Sequence, residues 1–252
     1  MTVDLHLYEP CAKGIKYLLA QSPDTEALVP GVSEAEWEDF GRRKGVKLYR
    51  AVAETPTELN KTRGIGIIEA PPDFVAGVIA DDYESWDSTI KELKILKSER
   101  DTATGALVEI IWSRYCLQVP FLDDRDFLYR EVTQRLPGDI HIIFGQSLTA
   151  EEEAACSDVP HQKGVIRGEM GASGWVAAPA ETEGHSRVTY VALTDLHIKA
   201  LKNLPKMLVD RYSTDVPLTV NDVRKVVMLK LKAQEKQAAK ASVGQNGSKA
   251  GQ

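Results

Sequence analysis

The chain has 252 residues, 43% of them hydrophobic, and a formal net charge of -6. That is enough apolar material for one sizeable core, and it is the wrong sign of charge for a protein drawn to nucleic acid or anionic lipid by global attraction. Cys11, Cys116 and Cys156 have no CxxC or Cys/His spacing, which argues against a disulfide framework or a zinc site. No apolar run approaches the roughly 20 residues that span a bilayer, and Met1 to His6 lacks the form of a signal peptide.

Taken in chain order, residues 8–21 place Ile15, Leu18 and Leu19 at helical spacing, with Pro23 and Pro30-Gly31 ending the helix. Ser33 to Arg43 predicts a second short helix, with Trp37 and Phe40 on one face and Ser33 and Glu36 spaced as a capping box. Strands are expected over Val46 to Ala53 and Gly64 to Ala70. Pro71-Pro72 then opens a helix whose early Asp73 suits the positive end of the dipole, and it runs on through Tyr83 and Trp86.

Apolar residues return to a strand pattern over Ile90 to Leu96 and Leu107 to Val119, separated by a turn at Asp101 to Gly105. Further strands follow at Phe127 to Leu136, Ile140 to Ser147, Gly164 to Met170, Gly174 to Ala178 and Arg187 to Leu193, spaced as an antiparallel meander. Val216, Val220, Val223, Val227 and Leu231 then form one helical stripe that Val226 and Leu229 widen. Residues 233–252 are mostly Ala, Lys, Gln, Gly and Ser without aromatics and are expected to be a disordered tail. The lysines and arginines from Arg224 to Lys240 read as a solvated helix face.

This order predicts a single α+β domain over residues 1–232, with a curved antiparallel sheet wrapped around the last helix. Such a fold can enclose a cavity of roughly 300 to 1,000 Å³. The loop at 118–125 is rich in Pro and Asp, so it belongs at the surface, yet its tip carries Pro120, Phe121 and Leu122. Those apolar residues either plug something inside or touch something apolar outside, which suggests a gate. By strand alternation Phe127, Tyr129 and Glu131 share one face, and Ile111, Ser113, Tyr115 and Leu117 share a face of the partner strand. Leu128, Arg130 and Val132 then face away. A buried Glu131 without a partner would be costly, so it is expected to meet Arg114, Arg130, Arg167 or a ligand hydroxyl. Arg125 and Asp126 are expected to pair with each other across the loop base. Trp86 and Trp175 read as core, and the histidines at 141, 161, 185 and 197 sit in no nucleophile motif.

Four groups of residues, in order along 35–232, resemble the START (steroidogenic acute regulatory protein-related lipid transfer) domains. They are Tyr83-Glu84-Ser85-Trp86-Asp87, Pro120-Phe121-Leu122-Asp123-Asp124-Arg125-Asp126-Phe127-Leu128-Tyr129, Gln162-Lys163-Gly164-Val165-Ile166-Arg167-Gly168-Glu169, and Val188-Thr189-Tyr190 with Leu204-Pro205-Lys206. The resemblance implies a helix-grip fold with a lipid tunnel, the 118–125 loop as a gate and the C-terminal helix as a lid. Val223 and Val227 of that helix would then contact the ligand with the two strand rows. The Pro-Phe pair resembles the phosphatidylcholine-transfer branch, and Gln162 to Glu169 resembles the sterol-binding branch. Departures bear on the cargo: Glu131 stands where sterol carriers place an arginine, and Glu84 and Ser85 stand near the phosphate-binding arginine of phosphatidylcholine carriers.

The function expected is a cytoplasmic, monomeric carrier of one lipid (sterol, phospholipid or other). It would meet membranes transiently, without cofactor, metal or nucleic acid. One alternative is a helix-grip cyclase or hydrolase using Glu131 with Tyr115 and Tyr129. Another is a ligand-sensing module that docks a partner through its lid or tail.

Overall fold

The computed structural model describes residues 5–32, 36–51, 61–116, 123–198 and 206–247. A 3-10 turn at Glu9–Cys11 leads into α1 (Ala12–Ala20), whose Ile15, Leu18 and Leu19 are fully buried. The predicted helix over 33–43 is a strand among the described residues: β1 (Glu38–Arg43) forms a hairpin with β2 (Val46–Ala51). Lys44 and Gly45 turn it with φ of 47° and 76°, the two left-handed positions that a tight hairpin needs. The spacing of Trp37 and Phe40 was too short to separate the two periods, and the Lys-Gly turn decides in favour of the strand.

β3 (Lys61–Ile68) follows, then α2 (Pro72–Asp81), α3 (Tyr83–Trp86), β4 (Ile90–Arg100), β5 (Leu107–Tyr115), β6 (Arg125–Leu136) and β7 (Ile140–Ser147). A short α4 (Ala150–Ala154) starts with a capping box between Thr149 and Glu152. The predicted strand over 164–170 is two short ones, β8 (Ile166–Arg167) and β9 (Glu169–Met170). β10 (Ser173–Pro179), β11 (Ser186–Ala192), β12 (Thr194–Asp195), α5 (Lys206–Asp215) and α6 (Thr219–Gly247) complete the chain.

The main sheet runs β1-β2-β3-β11-β10-β7-β6-β5-β4 with antiparallel neighbours. β7 pairs with β6 only from Tyr129 onward, and β8 takes up the free edge at Arg125 and Asp126. Both faces of the sheet are covered. Ile142, Phe144, Val176 and Val191 pack against α1 on the outer face, whereas Ile143, Trp175, Ala177 and Val188 pack inward with α2 and α6. Leu128 and Val132 turn away from the inner face as alternation requires, and they are buried at 2% and 0% exposure.

On α6, Val220, Val223 and Val227 are buried against Val46, Ile68, Val75 and Ile79. The turn that leads into the helix comes so close to β3 that a Cβ at Gly64 would lie 2.2 Å from the carbonyl oxygen of Pro217. This explains a glycine inside a strand. Arg224 ties the helix down by donating to the carbonyls of Ile67 and Lys44, both at 2.8 Å, so it is no solvated face charge. Leu229 does not join the stripe and is 67% exposed. The helix continues to Gly247, past the point where a disordered tail was expected. The composition that lowers hydrophobicity there, Ala with Lys, Gln and Glu, is also strongly helix-forming.

Candidate functional site

A cavity of about 440 Å³ lies between the inner face of the sheet, α3, α5 and the start of α6. Alternation along β6 sends Phe127, Tyr129 and Glu131 into it, and Tyr115 joins them from β5. Ile111 and Ser113 share that face but are buried behind the lining at 1% and 0% exposure. Val223 and Val227 also miss the cavity, because α2 fills the space beneath them; α5, α6 and the turn between them contribute Tyr212, Thr219 and Val216 instead. Leu117, Pro120, Phe121 and Leu122 lie outside the described residues.

The wall is largely aromatic. Trp175 and Tyr190 are partners in the β10–β11 register and stack at 4.1 Å. Trp86 meets Trp175 edge-on at 5.5 Å and Tyr83 at 5.4 Å, while Tyr115 meets Phe127 edge-on at 5.5 Å. Trp86 and Trp175 therefore serve as core and cavity wall at once. Leu196 and Ile198, in the segment after β12, close another side. Tyr212, whose hydroxyl bonds that of Thr194, carries no motif or periodicity that marks it, whereas Tyr83 and Trp86 belong to a segment that resembles the START pattern.

The polar end of the cavity is Glu131, only 6% exposed. Its partner is none of the arginines expected: the Tyr83 hydroxyl donates to Glu131 Oε2. Arg114 is engaged with Glu92, Arg130 with Glu152, and Arg167 with Asp126 and Glu153. Burial pushes the Glu131 carboxyl up to about 8; the Tyr83 hydrogen bond opposes this, and Glu109 and Asp81 reinforce it. Asp87 is raised in the same direction by burial, against the Thr89 hydroxyl and amide that donate to it. Burial likewise raises the phenols of Tyr115 and Tyr129, with the Ser113 hydroxyl beside both acting the other way, and holds Tyr212 at about 12.

Arg125 and Asp126 are structural, though they do not pair with each other. Arg125 Nε donates to the Leu196 carbonyl at 2.7 Å and Nη1 to that of Asp123. Asp126 accepts from Trp112 Nε1 at 2.8 Å and from Arg167 Nε and Nη2, both at 3.0 Å. Alternation explains the split, since adjacent residues on a strand point to opposite faces. Arg125 thus clamps the end of the 118–125 loop to the Leu196 segment at the cavity wall.

The START-domain family model matches residues 22–228. The chain belongs to the START-domain family. Solved structures that share its fold include human StAR-related lipid transfer protein 5, at 18% identity and TM-score 0.65 over 88% of this chain and 99% of that one. The lipid transfer and protein localization domain of human StarD13 (DLC2) aligns at 19% identity and TM-score 0.61, over 89% and 98% of the two chains. Human STARD10 aligns at 19% and 0.61, over 82% and 79%. Comparison with curated proteins gives no match. At such identities the likeness is one of fold, and the fold is that of START domains: a large antiparallel sheet gripping a long C-terminal helix. Among the described residues no helix is long and apolar enough to cross a membrane, and no group of His, Cys, Asp or Glu could hold a metal ion.

Proposed function

We propose that this START domain binds one lipid in the cavity and carries it between membranes. The observation that carries the reading is a cavity of about 440 Å³, within the range of small-molecule sites, walled by Trp86, Phe127, Trp175, Tyr190, Leu196 and Ile198 and polar at one end. The physics makes such a carrier useful. Each buried CH₂ is worth about 0.8 kcal/mol, so a lipid leaves a bilayer slowly unless a dry cavity replaces the lost apolar contacts.

The 118–125 loop is the gate in this reading. Its Pro120-Phe121-Leu122 tip would enter the interface while Arg125 holds its base. The domain acts as a cytoplasmic monomer that meets membranes transiently. The neighbours named for lipid transfer agree with this reading. An enzyme on this scaffold would have Glu131 as its one strongly shifted acid, but no histidine lies among the described cavity residues to share the work.

Transfer of fluorescent sterol, phospholipid and ceramide between donor and acceptor vesicles tests the proposal. Acceleration is expected for at least one lipid and should be lost in Ala192→Phe, which projects a ring into the cavity beside Tyr190. If the wild-type protein accelerates none of them, the carrier reading fails.

A further inference from the structure

The charge of the cavity lining narrows the cargo. Four acidic residues line it, Asp87, Glu131, Asp215 and Asp222, against one described cation, Arg211. Asp215 is paired with Arg211 at 2.9 Å and Asp222 with Lys225 at 2.7 Å. Asp87 and Glu131 have no cationic partner among the described residues. Glu131 holds Tyr83 through Oε2 alone, which leaves Oε1 to the cavity, and Asp87 is bound only by Thr89. Beside these two acids stand the rings of Tyr83, Trp86, Trp175 and Tyr190 in one continuous aromatic chain.

An electron-rich aromatic wall attracts a cation over its faces, and a buried carboxyl with a free oxygen attracts one more strongly where water is excluded. A phosphate finds the opposite: no described guanidinium or ammonium of the lining is free to meet it, and it brings no positive charge that Glu131 and Asp87 could pair with. We propose that the ligand is a phosphate-free amphiphile with an alkylammonium head, its nitrogen between Glu131 and the Trp86–Trp175 rings and its chain along Phe127, Leu196 and Ile198. This rests on the reading of the cavity as a lipid site and specifies its cargo. The ammonium supplies the countercharge that the fold withholds from Glu131 and Asp87, so ligand and protein neutralise each other on binding.

The test uses the full chain and four probes of equal chain length: dodecylamine, 1-dodecanol, dodecyl phosphate and dodecylphosphocholine. Each is titrated below its micelle concentration and followed by tryptophan fluorescence, since Trp86 and Trp175 line the cavity. Dodecylamine should bind at least about ten-fold tighter than the alcohol and tighter still than either phosphate compound. In Glu131→Gln, checked for folding by circular dichroism, the amine-to-alcohol ratio should fall toward one, and in Asp87→Asn it should fall in the same direction. An alcohol that binds as tightly as the amine overturns the ammonium assignment alone. Tightest binding of dodecylphosphocholine overturns the phosphate-free part. If none of the four binds, this assignment and the lipid-site reading fail together.

Discussion

Glu131→Gln offers a quantitative probe of the cavity because it keeps the shape and the Tyr83 hydrogen bond while removing the charge. The carboxyl is raised from 4.5 to about 8, with burial as the main cause, Tyr83 opposing it and Glu109 and Asp81 adding to it. Between those two values the folded protein holds a proton that the unfolded chain has released, so stability falls as pH rises through the window. Below about pH 4.5 both states are protonated and the group contributes nothing; above about pH 8 the fold must carry a buried anion. The full difference is ~5 kcal/mol at 1.36 kcal/mol per unit, and water entering the cavity lowers it, so we expect roughly 2 to 5 kcal/mol. Urea unfolding of wild type and variant should be measured from pH 5 to pH 9, the window that brackets the shifted carboxyl. Subtracting the two curves cancels every other titrating group. The variant should gain on wild type steadily as pH rises, and a difference that stays flat across this range would refute the account of Glu131 as a buried, cation-free acid.

Gly64→Ala should cost about 1 to 3 kcal/mol in chemical unfolding, since the new methyl meets the Pro217 carbonyl and must push the turn before α6 off β3. Asp126→Ala leaves Trp112 Nε1 and two Arg167 nitrogens without their acceptor and should cost about 3 kcal/mol; a thermal scan unchanged from wild type would remove that network from the fold's support. Phe121→Asp with Leu122→Asp should slow transfer from vesicles while leaving the melting temperature in place. Unchanged transfer rates would remove the gate.

Much of this site was legible because side chains alternate along a strand wherever its register is unbroken, as it is between β5 and β6. Phe127, Tyr129 and Glu131 could be placed on one face from the sequence, and the structure puts all three in the cavity. The same rule sent Leu128 and Val132 the other way, but it could not say that Val132 would join the core built around α1. Helical spacing showed the apolar stripe on α6 equally well, yet a stripe does not name its neighbour: Val223 and Val227 meet α2 rather than a ligand. The partner of Glu131 was illegible for a related reason. Tyr83 lies 48 residues away and reaches Glu131 only through the packing of α3 over the sheet, whereas the nearby arginines were already engaged by acids on β4 and α4 or by Asp126. Trp37 and Phe40 are at helical spacing, and only the turn at Lys44-Gly45 marks the hairpin that forms instead. Thr149 and Glu152 formed a capping box in plain view before α4.

Native mass spectrometry of the protein purified from its own cells would show whether this cavity holds a lipid. The account predicts a one-to-one complex with a hydrophobic small molecule, lost in Ala192→Phe, whose new ring occupies the ligand's place beside Tyr190. A wild-type protein that arrives empty and stays empty after incubation with a total lipid extract would contradict it.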